Sequence, residues 1–292
     1  MTMTRTEHSP KELERIRRYR LIDDTFLSVV FQDKECTQLL IRCVLQREDL
    51  TVIQVRTQRE LKNLWGRSVR LDVLAADEAG NLYNIEVQRS DSGAARRRAR
   101  YNSSLLDAHV TEPGEEYEAL AESFVIFITE NDYFRQGLPM YHIERVVQET
   151  GELFADGEHI IYVNGQYRGA DPVGELMHDF FCQDPAEMSF PLLARNVRYY
   201  KDDAEGVDYM CRISEEIWKE GREKGRQEGL QEGRREGQKE GRRVGREEGE
   251  QQMLVQNIRR LMEKSNHTFL EACDIFGVPQ EKRSPLKERV FS

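Results

Sequence analysis

Polar and apolar residues alternate along some stretches of the chain and recur at helical spacing along others, and together these patterns predict a mixed fold. Asp23 and Asp24 are placed to cap a helix starting near Thr25, and Leu39, Leu40, Cys43 and Val44 carry an amphipathic pattern to about Gln46. Alternation near 51–56, 69–75 and 82–88 predicts strands, and a helix is expected from about Ala94 to Ala108. The run SFVIFITE (123–130) is short, apolar and rich in β-branched and aromatic residues, as a central strand should be. PMYHIERVV and HIIYVNG predict two further strands. Helix and strand are mixed throughout, so residues 21–212 are expected to form one α/β domain: a mixed central sheet flanked by helices. Residues 1–20 are charged and are expected to be a flexible N-terminus.

The pattern changes abruptly at about residue 213. From 221 to 249 a glycine stands at every fourth position, eight in all, among Glu, Arg and Lys. Each glycine costs a helix about 1 kcal/mol relative to alanine, so about 8 kcal/mol opposes an isolated helix here. Four residues turn a helix by about 400°, so the glycine stripe drifts by about 40° per repeat and cannot face one straight partner. Two readings of 213–252 stand open: an expanded, weakly helical linker, or self-association of helices along a winding stripe. The charged neighbours exclude a membrane helix. Over 253–292, Leu254, Ile258, Leu261 and Met262 recur at helical spacing, Thr268 and Glu271 form a capping-box pattern, and Gly277 suits a helix end. Two short helices could read DNA or could simply pack and oligomerise. Glu271 and Asp274, with no basic residue on the second helix, favour packing.

The stretch RLDVLAADEAGNLYNIEVQRS reads as a hairpin with three polar residues where apolar ones belong. With the turn centred on Ala79, Asp72 faces Glu86 and Arg70 faces Gln88. Arg70, Asp72, Asn84, Glu86 and Gln88 then share one face, and Leu71, Val73, Ala75, Tyr83, Ile85 and Val87 the other. Directly opposed Cβ atoms lie about 5 Å apart, and like charges there repel unless something compensates them. A divalent cation bound through oxygen would do so, and so would a pairing of Arg70 with either carboxylate.

Composition narrows the partners. The 292 residues carry a net charge of −10, so any contact with nucleic acid must come from a local basic patch. Arg96, Arg97, Arg98 and Arg100 form such a patch directly after the hairpin. Arg96 and Arg100 share a helix face, and guanidinium forks suit phosphate. An ordinary solvated face is the alternative. The five cysteines (36, 43, 182, 211, 273) are scattered and odd in number, which argues against a disulfide framework or zinc site and suits a reducing cytoplasm. No stretch reaches the length of a membrane span.

At the hairpin the sequence also resembles a known family. D-x13-E-x-Q is similar to the core of PD-(D/E)XK nucleases in the variant where Gln replaces the final Lys. GRSVRLDVLAADEAGNLYNIEVQR, then RRRARYNSSLLDAH, FVIFITENDYF and HIIYVNG, resemble the Rpn family of recombination-promoting nucleases and transposases, from about Asp24 to Met210. The glycine-repeat tail is also typical of such proteins. The resemblance implies a Mg²⁺- or Mn²⁺-dependent DNA endonuclease that promotes recombination or mobility. It implies Asp72 and Glu86 as metal-binding carboxylates, the Val87 carbonyl as a further ligand, and Gln88 in the place of the Lys that orients the attacking water. An early acidic residue is implied too, for which Asp24 and Glu35 are both candidates. The competing expectation is a non-catalytic protein that contacts DNA or a protein partner and forms a homo-oligomer through its tail.

Overall fold

The computed structural model describes residues 8–62, 68–111, 114 and 116–292, with the backbone alone at 220 and 224. Residues 1–7 of the expected flexible N-terminus, and residues 66 and 67 of the quoted hairpin motif, lie outside the described residues. Six strands build one sheet: β1 (Val52–Leu61), β2 (Val69–Asp77), β3 (Leu82–Gln88), β4 (Ser123–Thr129), β5 (Met140–Ile143) and β6 (Glu158–Asn164). Their spatial order is β1-β2-β3-β4-β6-β5. The β1–β2, β2–β3 and β5–β6 pairs are antiparallel, and β3–β4 and β4–β6 are parallel. Every residue of β4 is buried, as its apolar sequence predicts. The mixed sheet flanked by helices is therefore the fold class expected from the sequence.

One face of the sheet is covered by helices from both ends of the first 216 residues. These are α1 (Pro10–Arg17), α2 (Asp24–Val30) and α3 (Lys34–Leu45), with α5 (Pro172–Phe181), α6 (Pro191–Asp202) and the first turns of α7 (Ala204–Ser265). Val73, Ala75, Tyr83, Ile85, Val87, Ile126 and Ile128 of the sheet join Phe26, Leu40, Met177 and Met210 of those helices in one core. Each such side chain, taken fully out of water, contributes roughly 1.5–3 kcal/mol. The other face is covered by α4 (Arg96–Val110), the crossover that a parallel β3–β4 pair requires. Leu105 and Leu106 of α4 pack on Leu61, Leu71 and Leu74, while Ala94 and Ala99 meet Val125, Phe127 and Tyr162.

Three expectations are corrected. Residues 10–17 are not a loose tail. Ser9 and Glu12 form a reciprocal capping box and Ile16 is buried in the core, which together fix α1. The stretch from Thr25 to Gln46 is two helices, because the Asp33 carboxylate accepts the Cys36 N–H at 2.9 Å and starts a new one. The strand expected over PMYHIERVV stops at Ile143, beyond which only the isolated bridge Val146–Leu153 continues the pairing.

The chain divides into two compact units, up to Glu216 and Ile217–Ser292. In the second, α7 continues as an unbroken helix to Ser265. Its eight repeat glycines have no side-chain or distant backbone atom within 4 Å of where a Cβ would stand. The first of the two expected C-terminal helices is the end of α7 itself. It packs with α8 (Phe269–Ile275) and α9 (Gln280–Phe291) around Ile258, Phe269, Cys273, Val278, Leu286 and Val290. The Thr268–Glu271 capping box is formed, and Gly277 follows α8 at φ 63°. Among the described residues no helix is long and apolar enough to cross a membrane.

Candidate active site

The β2–β3 turn sets the geometry. Asp77 accepts the backbone N–H groups of Ala79 and Asn81 and the Tyr83 hydroxyl, and Gly80 supplies the left-handed φ of 88° that closes the loop. The strands leave it in the register expected from a turn centred on Ala79: Ala76 opposes Leu82, Ala75 Tyr83, Leu74 Asn84 and Val73 Ile85. Asp72 and Glu86 come next. Val87 N–H donates to Asp72 Oδ2 at 3.1 Å. The expected apolar face is formed with one departure. Leu71 joins Leu74 and α4 instead of Val73. Gln58, between the pairs Thr57–Val73 and Arg59–Leu71, takes a left-handed φ of 53° opposite Asp72, while the β1–β2 register is the same on both sides of it.

The polar face of the hairpin is only partly solvated: Arg70 is exposed, Asp72 and Gln88 are half-buried, and the other two are buried. Glu86 is 0% exposed and Asn84 1%. Glu86 Oε2 accepts from Arg98 Nη2 at 3.0 Å, while its Oε1 is buried with no partner among the described residues. Burial, and after it the charge of Asp72, pushes the Glu86 carboxyl up from its usual range; burial and the charge of Asp24 do the same to Asp72. Asp24, in the first turn of α2, is itself pushed up by burial. Glu35 is elsewhere, exposed and paired with Arg195 at 3.5 Å. Of the two candidates for an early acidic residue, only Asp24 stands near the hairpin carboxylates. Asp24, Asp72 and Glu86 do not all draw within 4.8 Å of one another; among the described residues only His178, Asp179 and Cys182 group that tightly. Asp179 is committed there to the N–H groups of Ser189 and Phe190. At the hairpin the donors are all oxygen, Arg98 offsets only part of the carboxylate charge, and one Glu86 oxygen is buried without a partner among the described residues. That set fits Mg²⁺ or Mn²⁺.

The four arginines after the hairpin separate. Arg96, Arg97 and Arg100 are exposed, with the Arg96 guanidinium 5.2 Å from the Phe134 ring centroid. Arg98 turns inward, to Glu86, to Gln88 Oε1 at 3.4 Å and to the Gly93 carbonyl at 3.0 Å. It is half-exposed, and unlike the other three its guanidinium is engaged by the hairpin. Helical spacing carried the signal: Arg98 lies four residues before the buried Asn102, on the edge of the stripe that also holds Ala99, Ser103 and Leu106. A second basic group was missed altogether. Arg15, Arg18 and Arg89 line a cavity of about 400 Å³ with Tyr19, Asp23, Asp24 and Thr25. Arg15 and Arg18 fall in the stretch expected to be a flexible N-terminus; Arg15 lies in the last turn of α1 and Arg18 is its C-cap. Arg89 also pairs with Asp23 and Glu130, both at 3.2 Å.

Residues 27–166 match the family model described as PD-(D/E)XK nuclease family transposase. The match takes in all six strands and α4, hence Asp72, Glu86, Gln88 and Arg98; Asp24 lies three residues before it. The family resemblance read from the sequence is borne out over that segment. Comparison with curated proteins and with solved structures found no match.

Proposed function

We propose that this chain, whose residues 27–166 belong to the PD-(D/E)XK nuclease family transposases, is a metal-dependent DNA endonuclease whose cleavage promotes recombination or transposition. Nucleases of this kind typically use divalent metals and act on nucleic acid, and the hairpin has the residues for both. Asp72, Glu86 and the Val87 carbonyl are the ligands for Mg²⁺ or Mn²⁺, with Asp24 as the early acidic residue. A metal bound there would offset the carboxylate repulsion, acidify a water and stabilise charge on a phosphodiester. The chain's own residues do the rest. The Val87 N–H holds one Asp72 oxygen in place, and Arg98 holds one Glu86 oxygen, so each carboxylate keeps its other oxygen for a ligand. Gln88 lies two residues beyond Glu86 and brings an amide to the same face. Arg96, Arg97 and Arg100 on one side, and Arg15 and Arg18 on another, contact DNA phosphates without reading sequence.

The observation that carries this reading is Glu86: a carboxylate wholly out of water, beside a second one, with an oxygen that no described residue satisfies. Leaving such an atom unpaired costs about 1–3 kcal/mol or more, and a bound cation removes that cost. Supercoiled plasmid is the test. The intact chain is expected to nick it with Mg²⁺ or Mn²⁺ and not with chelator, and Asp72→Ala or Glu86→Ala to abolish nicking. Manganese at about a hundred times its dissociation constant should stabilise the parent by about 2.7 kcal/mol and leave Asp72→Ala unmoved. Full activity in Asp72→Ala would sink the assignment to this hairpin.

A further inference from the structure

Gln88 is not loosely placed. Its side-chain oxygen lies where Gly93 leaves room: a Cβ on Gly93 would stand 1.8 Å from Gln88 Oε1 and 2.9 Å from Gln88 Cδ. The Gly93 carbonyl accepts from Arg98 Nη1 at 3.0 Å, and the same nitrogen reaches Gln88 Oε1 at 3.4 Å. Nη2 of the same guanidinium holds Glu86. A guanidinium has donors only, so the end of the amide that faces it must be the oxygen. Nε2, the donor end, makes no hydrogen bond to any described residue.

We infer that Gly93 and Arg98 are positioning residues that hold the Gln88 amide with its oxygen toward the guanidinium, so that Gln88 meets the substrate phosphate as a hydrogen-bond donor. This rests on the nuclease reading and deepens it. An amide held in that sense cannot take a proton from the attacking water. It can donate to a non-bridging phosphoryl oxygen as charge builds there, the service a cationic side chain would otherwise perform. One guanidinium thereby couples Glu86 to Gln88: the fork that fixes the carboxylate also fixes the amide, and the planar geometry of arginine is what allows both.

Gly93→Ala tests this with little disturbance, because the atom its methyl displaces is the far end of a flexible side chain. Its kcat for plasmid nicking is expected to fall about 10²-fold, with KM for DNA unchanged. Gln88→Ala should fall as far, and the double variant no further, since the two act as one unit. Gln88→Glu, which replaces the donor by an acceptor, should match Gln88→Ala, whereas Gln88→Lys should stay within tenfold of the parent. Manganese binding by calorimetry should be the same in Gly93→Ala and Gln88→Ala as in the parent, because the carboxylates are untouched and no charge is added. Parental kcat in Gly93→Ala, additive losses in the double variant, or an active Gln88→Glu would each overturn the inference. An independent readout is the side-chain amide signal of Gln88 in ¹H–¹⁵N spectra, identified by its loss in Gln88→Ala. It is expected to shift in Gly93→Ala and in Arg98→Lys. Should the parent prove to have no nuclease activity, the nuclease reading fails and this signal alone decides the clamp: an unmoved signal overturns it. Arg98→Ala is the weaker variant, since it strands a buried Glu86 without its cation.

Discussion

Asp72 and Glu86 are pushed toward their protonated forms by burial and by neighbouring carboxylates, and this links stability to pH. For both, the folded pKa stands above the unfolded one. Their contribution is therefore whole below the ordinary carboxylate range and is lost as pH climbs from about 4 through the raised values. Asp72→Asn removes the charge and keeps an acceptor for the Val87 N–H. In chelator it is expected to be more stable than the parent at pH 8, by on the order of 2 kcal/mol, and equal to it near pH 4. Urea denaturation at both values is the check, and a difference that does not vary with pH would refute the linkage. Asp24 and Glu35 make a second comparison. Asp24→Ala should lose metal-dependent nicking, while Glu35→Ala, altering only an exposed pair with Arg195, should keep it. The opposed carboxylates were legible in the sequence because strand periodicity is strict and the Asp77–Gly80 turn fixes the register. The choice between Asp24 and Glu35 was not, since it depends on where α2 meets the sheet. The inward reach of Arg98 was not legible for a related reason: four arginines in five residues read as one patch until the packing of α4 turns one guanidinium to Glu86.

At the level of elements, α4 does two jobs with two faces. Its buried face completes the core and delivers Arg98; its exposed face carries Arg96, Arg97 and Arg100. Each phosphate neutralised contributes about 0.9 to the slope of log K against log salt for duplex DNA. Arg96→Ala with Arg100→Ala should accordingly flatten that slope by about 2 in fluorescence anisotropy, equally for unrelated sequences. An unchanged slope would make this face an ordinary solvated one. Arg15→Ala in α1 with Arg18→Ala at its C-cap should act likewise if the cavity they line takes phosphate. The strands were the most legible elements, since burial on one face imposes a pattern of two and burial on both gives a short apolar run. Neither α5 nor α6 is among the elements expected from the sequence, although both open on a proline and Asp171 caps α5 through the N–H groups of Val173 and Gly174. Their apolar faces complete a core begun by residues more than a hundred positions earlier, which no local pattern announces.

On the scale of the whole molecule, α7 belongs to both units. Val207, Met210, Cys211 and Ser214 are buried in the first, so that unit needs the helix start. A chain ended after Glu216 is expected to fold and to keep its manganese-induced stabilisation. One ended after Asp203 should lose several kcal/mol, as three apolar side chains leave the core. Thermal melts of both, with and without Mn²⁺, provide the check; equal stability would mean that the first turns of α7 are dispensable. Homo-oligomerisation through the tail is a separate expectation. Light scattering of the full chain against the chain ended at Glu216 tests it, and equal association numbers would reject it. The glycine repeat has one more consequence, and it concerns inheritance. Each repeat occupies about 6 Å of helix, and a Cβ added at any of the eight glycines would meet no neighbour. Gain or loss of one repeat keeps the reading frame and displaces no interlocked side chain. Copy number in this segment is therefore free to drift between lineages while the residues on either side of it are held by their packing.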